Sequence, residues 1–219
     1  GRREAGAAGL VLQRVAFAVA GTQIEAILHL PDGEAIGGVV VLPGRGGTMA
    51  DTAYLCDALA AANIAALRFT FRVDGDALSG LADAGGAIRL LRAHPSIPQR
   101  VGVLGWSFGG AVAAMAAGRD SRIRAAVLVS TPAAREYFGA AKPLAEVSRT
   151  RASVLIVRGE ADEVVSPADA DRYAQVLTQA RVRHRVATIA GADHNFTQPA
   201  QRAELLAAIT TFLAETLAG

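Results

Sequence analysis

The run Val101-Gly102-Val103-Leu104-Gly105-Trp106-Ser107-Phe108-Gly109-Gly110 changes character in its middle. Its first residues are apolar and partly β-branched, the mark of a short strand buried on both faces. From Ala111 to Gly118 the chain turns Ala-rich, so a helix is predicted over Ser107–Gly118. Between the two lies Gly105-Trp106-Ser107-Phe108-Gly109, a Gly-x-Ser-x-Gly pattern in the strand–turn–helix setting that gives the pattern its meaning. So sharp a turn strains the backbone of Ser107 and pushes its hydroxyl into the open. Glycine is needed at 105 and 109 because a Cβ there would strike the neighbouring strand or helix. The N–H of Phe108 is then aimed at any oxyanion formed on an attacked carbonyl.

On the N-terminal side, Leu10–Ala20 and Gln23–Leu30 read as a hairpin turning at Gly21-Thr22, and Val39–Leu42 as a buried strand. Helices are predicted over Asp51–Asn63 and Asp76–Ala93, with strands at Ile64–Phe69 and Arg100–Gly105. On the C-terminal side come strands at Arg124–Ser130, Val154–Val157 and Val182–Ile189, with helices at Pro167–Ala180 and Gln201–Leu217. A hairpin followed by repeated strand–helix units implies a single α/β domain over residues 1–219. Its central sheet is mostly parallel, with an antiparallel N-terminal hairpin and helices on both faces. Residues 1–9 are expected to form a flexible N-terminus.

Ligands of such a sheet collect beyond the carboxyl ends of its strands. Two further turns there carry suitable chemistry. Arg158–Val165 follows the strand Val154–Val157, and Asp162 is the chosen carboxylate. Glu160 and Glu163 are its competitors, or exposed loop charges; Asp169 and Asp171, in the next helix, read as solvated. Gly191-Ala192-Asp193-His194 follows the last strand. His29, His94 and His184 read as structural or solvated. A serine hydroxyl is a weak nucleophile near neutral pH; His194 can take its proton while Asp162 fixes the imidazole tautomer. The Gly-rich loop Pro43–Met49 after Val39–Leu42 suits a second oxyanion donor, the N–H of Arg45. It lacks the Gly-Lys-Ser/Thr ending of a phosphate-cradling loop, which argues against nucleotide binding.

Composition narrows the field further. Hydrophobic residues form 52% of the 219 and charged residues 19%, enough for one sizeable core and too apolar for a disordered chain. The single cysteine, Cys56, excludes an internal disulfide and a cysteine-based metal site, and a reducing, cytoplasmic setting fits. The +2 charge, carried by basic residues that do not cluster, gives no electrostatic case for nucleic acid. Val101–Gly118 is the longest uncharged stretch, but its glycines and Ser107 make it a strand and helix rather than a membrane span. No signal peptide is visible, and neither a metal nor a cofactor is implied. A homodimer is left open.

With Gly46-Gly47-Thr48-Met49, Leu67-Arg68-Phe69-Thr70-Phe71-Arg72 and Gly105–Gly110 in place, the chain resembles an α/β-hydrolase from about Val11 to Leu217. Within that superfamily it is similar to the small, lidless bacterial hydrolases related to dienelactone hydrolases. The resemblance implies a carboxylic-ester hydrolase with Ser107, Asp162 and His194 as triad and Arg45 and Phe108 as oxyanion donors. Many relatives carry His-Gly where this chain has Pro43-Gly44. Dienelactone hydrolases proper use Cys where this chain has Ser107, so their substrate is not carried over.

Only about twenty residues, Thr131–Ala152, are available for a lid, with a short helix expected at Ala133–Phe138. An open pocket for small or short-chain esters follows, with Trp106, Phe108, Tyr137, Phe138 and Phe196 as candidate walls. The Arg45 side chain is a candidate attractor of acidic substrates. Arg72, Asp74 and Ser79 either edge the cleft or hold its loop. Two other readings remain: thioester, amide or acyl-transfer chemistry on the same triad, and a receptor that keeps the fold without turnover.

Overall fold

The computed structural model describes residues 3–5, 10–133 and 138–219. The described residues form one nine-stranded sheet. Its strands are β1 (Arg3–Ala5), β2 (Leu10–Val19), β3 (Thr22–Pro31), β4 (Gly37–Leu42), β5 (Ile64–Phe69), β6 (Val101–Trp106), β7 (Ile123–Val129), β8 (Ser153–Gly159) and β9 (His184–Ile189). They lie in the order β1-β2-β3-β5-β4-β6-β7-β8-β9. The β1–β2, β2–β3 and β3–β5 pairs are antiparallel, and every pair from β5 to β9 is parallel. The expected α/β architecture is therefore the observed one. Residues 3–5, which the sequence reading assigned to no element, pair with β2. The rest of the expected flexible N-terminus lies outside the described residues.

The helices are α1 (Ala53–Ala61), α2 (Ala77–Ala93), α3 (Phe108–Arg119), α4 (Pro143–Val147), α5 (Pro167–Gln179) and α6 (Pro199–Ala218). The two-residue period of a strand divides the core between the faces of the sheet. Val40 and Leu42 of β4 join one apolar cluster with residues of α2, α3 and α5, while Val39 and Val41 join the other with α1 and α6. Each central strand is covered on both sides, which is why these strands read as continuous apolar runs. No helix among the described residues is long and apolar enough to cross a membrane.

Two local expectations are corrected. The hairpin turns at Ala20-Gly21, one residue early, because Val19 pairs with Thr22. Both turn residues have positive φ (49° and 79°), the backbone twist that a two-residue hairpin requires. β9 starts at His184, because the Val182 N–H instead bonds the Leu177 carbonyl at the end of α5. The helix expected at Ala133–Phe138 falls on residues 134–137, which lie outside the described residues; α4 lies further along the same connection.

The connection from β5 to α2 is tied down by a partly buried ion pair. Asp83, fully buried on α2, accepts from Arg72 Nε (2.6 Å) and from the Arg72 N–H (3.0 Å). Removing the carboxylate leaves both donors behind, so Asp83→Ala should cost about 3–5 kcal/mol of stability. Asp171→Ala removes a carboxylate that pairs with Arg158 in solvent, and should cost less than about 1 kcal/mol. Denaturant midpoints of the two variants would check the contrast.

Candidate active site

β4 and β6 are parallel neighbours, but the chain leaves β4 toward β5 on one side and β6 toward β7 on the other. The crevice beyond their carboxyl ends is the switch point where α/β sheets bind ligands. The register Leu42↔Gly105 brings the loop after β4 against the turn after β6.

Ser107 occupies that turn at φ 51° and ψ −116°, a conformation that non-glycine residues rarely hold. Its N–H bonds the Val129 carbonyl (2.8 Å), and its carbonyl accepts from Gly110 (2.9 Å). A Cβ at 105 would run into the carbonyl of Gly109, and one at 109 into the carbonyls of Leu42 and Pro43. The two glycines thus let strand, turn and helix approach closely. As the first residue of α3, Phe108 has an N–H with no acceptor inside the helix.

Beyond β8 and β9, two loops are laced together. Glu160 N–H bonds Ile189 (3.0 Å), Ala161 N–H bonds Ala192 (2.9 Å), and the Glu160 carboxylate accepts from Gly191 N–H (2.9 Å). Glu160 is thus a splint between loops rather than a loose charge. The lacing sets Asp162 beside His194. Asp162 Oδ1 accepts from the N–H groups of Val164 (2.9 Å) and Val165 (2.8 Å), and Oδ2 lies 2.8 Å from His194 Nδ1. An ionised carboxylate only accepts, so His194 carries its proton on Nδ1 and leaves Nε2 as an acceptor. Asp193 closes the far side of the loop, accepting from Thr197 Oγ1 (2.6 Å) and from the N–H groups of Asn195 and Thr197. The Thr197 hydroxyl and amide hold the Asp193 pKa below the usual carboxylate value.

Ser107, His194, Arg45, Phe108, Trp106 and Phe138 line one cavity of about 590 Å³, and Asp162 is buried behind His194. The Arg45 guanidinium lies 5.8 Å from the centre of the Phe108 ring. Phe196, expected as a wall, is fully buried behind it, edge-on to Trp106 at 5.5 Å. Tyr137 lies outside the described residues. Asp169, read as solvated, is buried and accepts from Ala133 N–H (3.0 Å). Of the residues expected to edge the cleft or hold its loop, Arg72 turns to Asp83, while Asp74 accepts from Gly46 N–H (2.7 Å).

The sequence reading missed Tyr54, Val164, Asn195 and Arg202 on the cavity wall. Arg202 of α6 stacks on Tyr54 of α1 at 5.0 Å. Burial pushes the Tyr54 hydroxyl up to about 12, against the opposing charge of Arg202. A signal existed: each missed residue lies within about ten positions of Met49, Asp162 or His194, on the element that leaves the site. Among the described residues, no group of three or more His, Cys, Asp and Glu side chains could hold a metal ion.

The switch-point crevice, the strained serine turn after β6 and the loops after β4, β8 and β9 define the α/β-hydrolase fold. Residues 73–216 match the dienelactone hydrolase family, and the chain belongs to that family. Solved structures share the fold at low identity. Est1E from Butyrivibrio proteoclasticus is 17% identical with a TM-score of 0.81, over 94% of this chain and 99% of its own. A dienelactone hydrolase-like promiscuous phosphotriesterase from metagenomic libraries is 20% identical, TM-score 0.80, over 95% and 99%. Dienelactone hydrolase from Anabaena variabilis is 21% identical, TM-score 0.77, over 95% and 97%. No curated protein matches the chain.

Since the 105 position has no room for a Cβ, Gly105→Ala must shift the serine turn. It should lower stability by about 1–3 kcal/mol, read as a lower denaturant midpoint.

Proposed function

We propose that this chain hydrolyses small or short-chain carboxylic esters through an acyl-enzyme on Ser107. The observation that carries the reading is the 2.8 Å His194–Asp162 bond, with His194 and Ser107 on one cavity. Asp162 holds the imidazole in the tautomer whose Nε2 accepts the Ser107 proton as Oγ attacks the ester carbonyl. The resulting oxyanion is met by the N–H groups of Phe108, at the positive end of α3, and Arg45. His194 returns the proton to the leaving alcohol, and water releases the acid by the same steps in reverse order. The cavity walls support an acyl group of modest size. Trp106, Phe108, Phe138 and Val164 offer apolar surface, and β7 and β8 are joined by too short a segment for a large cap.

Hydrolysis of p-nitrophenyl acetate, butyrate and octanoate tests the reading. The acetate and butyrate should be preferred. Ser107→Ala should lower kcat about 10³-fold or more, and Asp162→Asn by about 10⁴-fold through the wrong tautomer. Equal turnover by the wild type and Ser107→Ala would exclude Ser107 as the nucleophile.

A further inference from the structure

β3 and β5 are antiparallel, with His29 opposite Ala66 and Ile27 opposite Arg68. Opposite residues share a face, so His29 and Arg68 are diagonal neighbours on the side of the sheet that α1 covers. Both are buried, at 1% and 9% exposure. Arg68 Nε lies 2.7 Å from His29 Nε2, and Arg68 Nη1 lies 2.7 Å from the Met49 carbonyl. A guanidinium only donates, so Nε2 of His29 accepts and its proton sits on Nδ1. That proton goes to Asp57 Oδ1 of α1 (2.9 Å), whose side chain is half exposed. Cys56 of α1, a fully buried thiol whose pKa burial pushes up, is the other titratable group there.

Met49 closes the loop that begins at Pro43. The loop is held at three points by β5 and the residues after it: Arg68 on the Met49 carbonyl, Thr70 Oγ1 on the Met49 N–H (3.0 Å), and Asp74 on the Gly46 N–H (2.7 Å). Arg68 is the grip that depends on another titratable side chain. A second proton on His29 would have to sit on Nε2, donor facing donor, and would drive Arg68 off both partners. We propose that Arg68 is a positioning residue of the oxyanion loop, and that neutral His29 is the condition for its hold on Met49. The proposal rests on the assignment of Arg45 in this loop as an oxyanion donor.

Burial first, then the Arg68 charge, hold His29 below the ordinary value of 6.5, against the opposing pull of Asp57. His29 is therefore neutral at and above neutral pH. The hold is fully present there and is lost as pH falls through the lowered value. The groups facing His29 are Arg68 from β5 and Asp57 from α1; Cys56 lies beside those two.

Hydrogen exchange over residues 43–50 reads the loop, and ester turnover reads its consequence. Arg68→Met should raise exchange there and lower kcat about tenfold or more with KM within about twofold, because oxyanion binding acts in the transition state. Arg68→Lys, which can reach one partner but not both, should fall between. His29→Gln keeps an acceptor and a donor without a titrating ring. It should match the wild type at neutral pH and lose the extra exchange, beyond the intrinsic pH effect, that the wild type gains below pH 6.5. Unchanged exchange and kcat in Arg68→Met, or exchange that rises without loss of kcat, would overturn the proposal. So would identical acid-side exchange in wild type and His29→Gln, an arm that stands even if Arg68→Met fails to fold. Absence of ester turnover in the wild type would count against the esterase reading instead, and the exchange arms would still decide whether Arg68 holds the loop.

Discussion

The parallel pairing of β4 with β6 sets the geometry of everything at the site. Its register runs from Gly38↔Val101 to Leu42↔Gly105. At its carboxyl end the two chains part, one into the Pro43–Met49 loop and one into the Ser107 turn. Their separation there is the separation of two strands, about 4.8 Å. The glycine at 109 lets α3 start against the carbonyls of Leu42 and Pro43. A helix N-terminus, a serine and a loop of backbone amides are gathered without any long side chain having to reach across the crevice.

Such proximity needs strain to be absorbed elsewhere. A serine at φ 51° costs on the order of 1–3 kcal/mol. What holds it is α3, buried from Phe108 to Ala117, and the bond from Ser107 N–H to the Val129 carbonyl of β7. Burying one apolar side chain contributes about 1.5–3 kcal/mol, so the residues that α3 packs into the core outweigh one strained turn. Its alanines and glycines serve the same end, since small residues let the helix lie close against the sheet. The apolar, small-residue look of this segment follows from its position.

The same physics explains what the sequence made legible. Strands buried on both faces leave short apolar runs, so β4 to β8 and the turns after them could be read directly, and Asp162 and His194 emerged as the groups at strand ends. The hairpin turn was read one residue late because Gly21 is the obvious turn former, while Ala20 takes a positive φ for which its side chain gives no hint. Phe196 was legible as an aromatic near His194, but not as the residue that backs Trp106, since facing depends on a loop that also has positive φ there. Asp169 was read as solvated because helix position alone cannot show that Ala133 N–H needs an acceptor. His29 reads from the sequence as structural or solvated, and Arg68 only as part of the stretch Leu67–Arg72. They meet only because β3 and β5 pair, a contact between segments about forty residues apart.

The site's two halves are braced by separate sets of bonds. The acid and histidine loops are laced by backbone hydrogen bonds and Glu160, and the Pro43–Met49 loop by Arg68, Thr70 and Asp74. A reacting constellation tolerates only about 0.5 Å of play, and two independent braces keep an error in one half from spreading to the other. The cavity wall differs. Tyr54 comes from α1 and Arg202 from α6, helices that pack on the sheet without carrying a candidate catalytic group. Substrate fit can therefore change there at little risk to the acid–histidine half. The half with the Pro43–Met49 loop is less insulated, because α1 also carries Asp57, and through His29 that carboxylate meets Arg68. A shift of α1 that reshaped the wall at Tyr54 would be felt at Met49, so on the proposed reading fit and rate are linked through one helix.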